Sequence, residues 1–157
     1  MVDAWLTTMS TNLEAVINPL IAACEEGFLP DELYVLENPG VGEQFDDITS
    51  MMERVVIEYG GEDPDLSVTQ LETETDFEGI VEHFREPLAQ IQADGGTAAV
   101  DVTPGRKFMS AIAFQAGIQF DADHVFYLYV SNNRFYGRLY PDVPRPMVEL
   151  VDFQEVF

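Results

Sequence analysis

The 157-residue sequence predicts one α/β domain, in which a mainly parallel sheet is covered by helices on both faces. Three observations carry this prediction. Short apolar runs alternate with segments of helical periodicity, the connections between them are short, and 46% of the residues are hydrophobic, which is enough for one core. The last quarter of the chain changes character, because strand-like runs follow one another there without an intervening helix.

The first half of the chain is expected to contain two strand–helix units. A strand covers Val2 to Thr8, and a helix follows from Ser10 or Thr11, where a Ser/Thr-x-x-Glu capping box precedes apolar residues at helical spacing. A second strand covers Glu32 to Leu36, and a second helix covers about Phe45 to Tyr59.

The alternation continues through two further units. A strand is expected over Leu66 to Leu71, followed by a helix that a second capping box opens at Thr75 and that Pro87 should kink or divide. The fourth strand covers Thr97 to Val102. The helix after it, Phe108 to Ile118, has so little polar surface that we expect it to be central and buried.

The C-terminal part predicts antiparallel pairing. His124 to Val130 and Arg134 to Tyr140 are strand-like runs around a short polar turn. The expected fold is a Rossmann-like three-layer sandwich with an antiparallel C-terminal hairpin. We expect a single domain over residues 1–157, with a core over about 2–140 and a final edge strand or partner-contacting tail over 141–157.

The chain is strongly acidic, and this excludes several kinds of partner. Asp and Glu number 29 against 7 Lys and Arg, for a formal net charge of −22. The acid is spread along the whole chain, which is typical of a solvated surface in a salt-adapted cytoplasmic protein, since molar salt shortens the screening length to roughly 3 Å. A basic partner protein is the alternative. Duplex nucleic acid is disfavoured because there is no basic stripe.

Other classes of function find little support. No window approaches the ~20 apolar residues of a membrane span, and Met1 to Leu6 do not begin a signal peptide, so we expect no membrane association. Cys24 is the only cysteine and falls on an apolar helical stripe, as a packed thiol would. His83 and His124 lack partners at ligand spacing, so we expect no metal site. No Gly-x-Gly-x-x-Gly or Walker motif indicates a nucleotide cofactor.

An anion site is expected where the fourth strand enters its helix. Gly105 allows a close backbone approach, Arg106 adds charge, and Lys107 is the only lysine of the chain. Free amides and the helix dipole favour an anion at a helix N-terminus, whereas two cations there are unfavourable unless an anion compensates them. The alternative is that both cations pair with surface carboxylates. Carboxyl ends of parallel strands meet at one rim, so three loops should converge here: residues 7–12, 69–76 and 101–107.

The acidic loop of this rim leaves alternatives open. Glu72, Glu74 and Asp76 could bind a divalent metal, act in acid–base catalysis, or contact ribose hydroxyls and adenine amines. Such a group is also typical of the charge cluster at a helix N-terminus.

The stretch Asp101-Val102-Thr103-Pro104-Gly105-Arg106-Lys107-Phe108-Met109-Ser110 resembles the CARF family, the CRISPR-associated Rossmann-like sensor domains. Their fourth strand leads into Asp/Asn-x-Thr-Gly-Gly-Thr-Lys and then a helix of small residues. The hydroxyl-rich loop after the first strand also agrees, and the resemblance covers about Val2 to Tyr140. Pro104 replaces the first glycine of the motif and Arg106 replaces its threonine.

The resemblance implies a homodimer that holds a cyclic oligoadenylate between two facing rims. It implies ligand contacts from Thr8, Met9, Ser10, Thr11, Asn12, Thr103, Pro104, Gly105, Arg106 and Lys107. Many CARF proteins carry a fused effector domain, and from the length of this sequence we expect none here. Some stand-alone relatives open the cyclic messenger without a metal. Transferred by position, their catalytic residues are Ser10, or alternatively Thr11, and Lys107.

Two other functions stay open at this point. The chain could be a sensing module that binds the messenger and acts through a partner protein. It could also be an unrelated Rossmann-like domain that binds a mononucleotide or a phosphorylated metabolite.

Overall fold

The computed structural model describes residues 1–157 and confirms the predicted fold class. Six strands form one sheet in the order β3-β2-β1-β4-β5-β6, in which the first five are parallel and the last is antiparallel to its neighbour. The strands are β1 (Asp3–Thr7), β2 (Glu32–Glu37), β3 (Asp65–Gln70), β4 (Thr97–Asp101), β5 (His124–Val130) and β6 (Val148–Asp152). The first five agree with the sequence prediction to within one residue at each end.

Four helices cover the two faces of the sheet. They are α1 (Leu13–Glu25), α2 (Gln44–Glu58), α3 (Phe77–Ala93) and α4 (Lys107–Gln119). One hydrophobic core joins α1 and α2 to the sheet, and a second joins α3 and α4 to its other face. None of the helices has the length and apolar composition of a membrane span.

The strand order reverses between β1 and β4. The chain proceeds from β1 towards β2 and β3 on one side, and from β4 towards β5 and β6 on the other. In an open parallel sheet, this point leaves a crevice at the carboxyl ends of the strands. The loops after β1 and β4 therefore border the crevice.

The partner strand of the C-terminal hairpin differs from the prediction. The run Arg134–Tyr140 is not a strand, since the 3₁₀ turn Asn133–Phe135 overlaps its start and a second one, Tyr140–Asp142, begins at its last residue. The strand that pairs with β5 is β6, which the sequence left open as an edge strand or a tail. The side chain of Asn18 hydrogen-bonds the backbone of Arg138 and Tyr140, so these groups are engaged with α1 instead of a strand ladder.

Both predicted capping boxes are wrong. Helix α1 begins at Leu13, and its N-cap residue Asn12 makes no side-chain capping bond. In α3 the cap is Asp76, whose carboxylate accepts a hydrogen bond from the Gly79 amide, one residue later than the box at Thr75 required. The Ser/Thr-x-x-Glu pattern predicted the approximate start of each helix, because polar residues end both preceding loops. It did not predict which side chain, if any, makes the capping hydrogen bond.

Two further helix predictions are corrected. Pro87 does not divide helix α3, which continues through it, and Phe84 and Leu88 on either side of the proline are fully buried. Helix α4 is not buried all round. Only Met109, Ala113, Ala116 and Gly117 are buried, and two of its other apolar residues, Ala111 and Ile112, line a groove beside α3.

Candidate functional site

A buried carboxyl group joins β1 and β4 at the point where the strand order reverses. Thr7 Oγ1 donates to Asp101 Oδ2 at 3.1 Å, and the amide of Thr103 donates to Asp101 Oδ1 at 3.0 Å. Asp101 is fully buried, and this burial raises its pKa from 3.8 to about 7 against the opposing effect of these hydrogen bonds. The carboxyl group thus fixes where both loops leave the sheet.

The two loops are tied together just above this point. The Thr8 hydroxyl donates to the carbonyl of Pro104 at 3.1 Å, and the Ser110 hydroxyl donates to the same carbonyl at 3.2 Å. Gly105 has a φ of +93°, and a Cβ atom there would lie 2.7 Å from Thr8 Oγ1. Backbone conformation and space therefore both require glycine at this position.

The loops border an open cleft of about 320 Å³. Five of its lining residues were predicted from the sequence: Met9, Ser10, Thr11, Gly105 and Arg106. Three were missed: Asn38, Gly40 and Val41, which belong to the turn after β2. The signal was present, because the carboxyl end of β2 lies at the same edge of the sheet beside β1.

The other predicted site residues lie outside this lining. Thr8 and Pro104 are buried and hold the loops together. Thr103 faces β5, where its Oγ1 accepts a hydrogen bond from the Leu128 amide at 3.0 Å. Asn12 and Lys107 are exposed at the starts of α1 and α4.

Two helix N-termini face the edge that carries the cleft. Neither Asn12 before α1 nor Arg106 before α4 makes a side-chain capping bond. The first amides of an α-helix have no acceptor within the helix, and the helix dipole gives this end a partial positive charge. The cleft therefore carries the hydroxyls of Ser10 and Thr11 and lies beside two helix N-termini, a setting that favours an anion.

The cation of the cleft is already paired. Arg106 Nη1 and Glu74 Oε1 lie 2.6 Å apart, and the two side chains are 63% and 40% exposed. An exposed ion pair of this kind contributes roughly 0–1 kcal/mol, so a bound anion can compete with Glu74 for the guanidinium group.

The remaining chemically active side chains have structural contacts. Asp76 caps α3. His83 is buried between Thr69 Oγ1 and the Thr7 carbonyl, each 2.9 Å away, and desolvation lowers its pKa to about 4. Cys24 is buried, which raises the pKa of its thiol to about 12. No cluster of three or more His, Cys, Asp and Glu residues could hold a metal ion.

No family model matches the sequence, and no curated protein is similar to it. Solved structures do share its fold. Can2 from Sulfobacillus thermosulfidooxidans, in complex with cyclic tetra-adenylate, aligns over 80% of this chain with 17% identity and a TM-score of 0.54. A type III CRISPR defence DNA nuclease activated by cyclic oligoadenylate aligns over 82% with 15% identity and a TM-score of 0.59. Enterococcus italicus Csm6, bound to cyclic hexa-2′-fluoro-hexa-dAMP, aligns over 84% with 14% identity and a TM-score of 0.57.

At these identities the similarity establishes the fold alone, and it supports a CARF-like fold for the chain. The chain spans 31% of Can2, 19% of the DNA nuclease and 34% of Csm6. It therefore corresponds to about a third or less of each of these proteins.

Proposed function

We propose that this chain binds a cyclic oligoadenylate in the cleft between the loops after β1 and β4. The observation that carries the proposal is the position of the cleft, which lies at the reversal of strand order beside two helix N-termini without side-chain caps. Arg106 adds a cation there, in a chain with 29 acidic residues. The shared fold with proteins that hold or respond to cyclic oligoadenylates supports this class of ligand over other phosphates.

The proposal includes a homodimer. Phe77 is 51% exposed and packs edge-to-face on Phe108 beside the rim, with ring centroids 5.5 Å apart. Next to this pair, a largely apolar groove of about 330 Å³ separates α3 from α4, with Val81 and Ile112 in its walls. A two-fold axis along this face would bury apolar surface and bring both clefts to the same side, as a symmetric ring requires.

Ring opening is the catalytic part of the proposal. The 2′-hydroxyl of one ribose attacks the adjacent phosphorus, the bond to the 5′-oxygen breaks, and the proton passes to that oxygen. The products carry a 2′,3′-cyclic phosphate and a 5′-hydroxyl. Ser10 orients the sugar, and Arg106 and Lys107 stabilise the charge that grows on the phosphate oxygens; removing one such group lowers rates by about 10²–10³.

Binding without turnover is the second candidate function. The exposure of Lys107 at the first residue of α4, outside the lining of the cleft, favours it. In this case the protein senses the messenger and acts through a partner protein.

The acidic surface sets the conditions of the test. A net charge of −22 repels an anionic ligand at low salt, whereas molar salt limits this repulsion to distances of roughly 3 Å. We therefore propose a salt-adapted protein of the cytoplasm, and we expect ligand binding to be measurable at molar salt.

The test is a titration with cyclic tetra- and hexa-adenylate at molar salt, followed by product analysis and by light scattering to measure the oligomeric state. Lys107→Ala and Arg106→Ala should each weaken binding on the order of tenfold or more, because each removes a charged phosphate contact. Arg54→Ala, which removes an exposed arginine paired with Glu58 on α2, is the matched control and should bind like the wild type.

The outcomes separate the candidates. Cleaved ring supports the nuclease, and tight binding of intact ring supports the sensor. A wild-type protein that is monomeric and binds neither ring contradicts the proposed function.

A further inference from the structure

One buried polar atom borders the cleft without a hydrogen-bond partner. Two buried side-chain polar atoms lack partners in this structure, Trp5 Nε1 and Asn38 Oδ1. Trp5 belongs to the core beneath α1. Asn38 directly follows β2 and is only 9% exposed, yet it is one of the residues that line the proposed ligand cleft. An unpaired amide oxygen at such a site costs roughly 1–3 kcal/mol, which a ligand donor would recover.

Asn38 also lines a second cleft, of about 410 Å³, at the carboxyl ends of β2 and β3. We name it the β2–β3 cleft. Its other lining residues are Glu37, Pro39, Gly42, Gln70, Leu71 and Glu72. Asn38 is the one residue that both linings share. The two clefts are therefore neighbours, and a ligand that extends from one to the other passes Asn38.

The clefts differ in the chemistry that they accept. The first is lined by Arg106 and lies beside two helix N-termini, both of which favour phosphate. The β2–β3 cleft carries Glu37 and Glu72, which repel phosphate and accept hydrogen bonds from amines and hydroxyls. Within one nucleotide, the phosphate therefore fits the first cleft, and the base, with its exocyclic amine, fits the second.

We infer that Asn38 is a specificity residue that recognises the adenine of the bound nucleotide. The inference rests on the proposed function and deepens it. Rotation about the Cβ–Cγ bond turns Oδ1 into the clefts, where it accepts a hydrogen bond from the 6-amino group, while Nδ2 donates to a neighbouring ring nitrogen. A primary amide and an adenine edge form this bidentate pair because each offers one donor beside one acceptor.

The experiment uses two mononucleotides that differ in one group. AMP carries the 6-amino group, and purine riboside 5′-monophosphate has a hydrogen in its place. We expect the wild type to prefer AMP by on the order of tenfold, and Asn38→Ala to lose this preference. In an NMR titration, AMP should shift the side-chain amide signals of Asn38 more than the other nucleotide does.

Two controls keep the result interpretable. Arg106→Ala should weaken the binding of both mononucleotides equally, since it acts on the phosphate. Asn38→Ala should not lower the melting temperature, because it removes an atom that makes no hydrogen bond. A variant that does unfold leaves the wild-type NMR titration as the deciding measurement.

The outcomes distinguish this inference from the proposed function. Equal binding of both mononucleotides by the wild type, an unchanged preference in Asn38→Ala, or no shift of the Asn38 amide at millimolar AMP overturns the inference, even if the cyclic ligand binds. A preference for AMP that depends on Asn38, without binding of a cyclic oligoadenylate, supports the inference and contradicts the proposed function.

Discussion

Replacing Asp101 by Asn should change how the stability of the protein depends on pH. The carboxyl group is fully buried, and its pKa rises from 3.8 to about 7 in the folded protein. Between these values the unfolded chain releases the proton and the folded protein keeps it. The free energy of unfolding of the wild type therefore falls as pH rises through this window, and the contribution is fully present only below the lower value. The amide of Asn keeps the shape of the group and does not titrate.

The magnitude follows from the two pKa values. Their difference corresponds to roughly 4 kcal/mol, of which roughly 3 kcal/mol falls between pH 4.5 and 8. We expect the difference in unfolding free energy, variant minus wild type, to increase by this amount across that range. Urea titrations at constant molar salt measure this difference. Repulsion among the other carboxylates cancels in the difference, because the wild type and the variant share those carboxylates.

Asp47→Asn, which removes an exposed carboxylate on α2, controls for the loss of one negative charge. A stability difference for Asp101→Asn that stays constant between pH 4.5 and 8, or that decreases with pH, would refute the reasoning. It would mean that the group between Thr7 and Thr103 carries no proton at neutral pH.

Three further predictions concern stability. His83→Gln should abolish a pH dependence of opposite sign, because burial lowers the pKa of the imidazole from 6.5 to about 4. The unfolding free energy of the wild type should fall by roughly 2 to 3 kcal/mol from pH 7.5 to 4.5, and that of the variant should not. Urea titrations at both pH values would show the difference. Gly105→Ala should cost roughly 1–3 kcal/mol, because its φ is +93° and the new methyl group meets Thr8; Gly40→Ala, where nothing lies within 4 Å, should unfold near the wild-type temperature. Asn18→Ala should cost roughly 1–3 kcal/mol in a denaturant titration, since the buried Tyr140 amide and the partly buried Arg138 carbonyl lose their partner, and a loss under about 0.5 kcal/mol would contradict this role.

The sequence predicted the parallel part of the fold well because each strand and helix there carries its own periodic signal. The apolar runs that became β1 to β5 are bounded by polar or glycine-containing loops, and short connections leave few alternative topologies. The pairing of β5 was harder to predict. Arg134–Tyr140 and β6 are both compact strand-like runs, and a contact across 120 residues, from Asn18 to Arg138, removes the first from the sheet.

The candidate site was predicted in part for a similar reason. Local patterns indicated the loops after β1 and β4, where hydroxyl groups, Gly105 and Arg106 stand close together in sequence. Asn38 belongs to a loop without a chemical motif, and the role that we propose for it rests on its burial and its missing hydrogen-bond partner, which the sequence does not show. The sequence offered pairing of Arg106 with a surface carboxylate as an alternative, but it could not identify Glu74 as the partner.

The attachment made by Asn18 divides the long connection between β5 and β6 into two independently anchored arms. Each arm is closed by fixed ends, so a change in the length of one leaves the other in place, and the entropic cost of added residues grows only slowly. Residues 132–137 can therefore vary in length and composition while β6 keeps its register, whereas residues 141–146 include the buried Val143 and Arg145, which pairs with Glu25. Surface diversity can accumulate on this side of the molecule at little cost to the sheet.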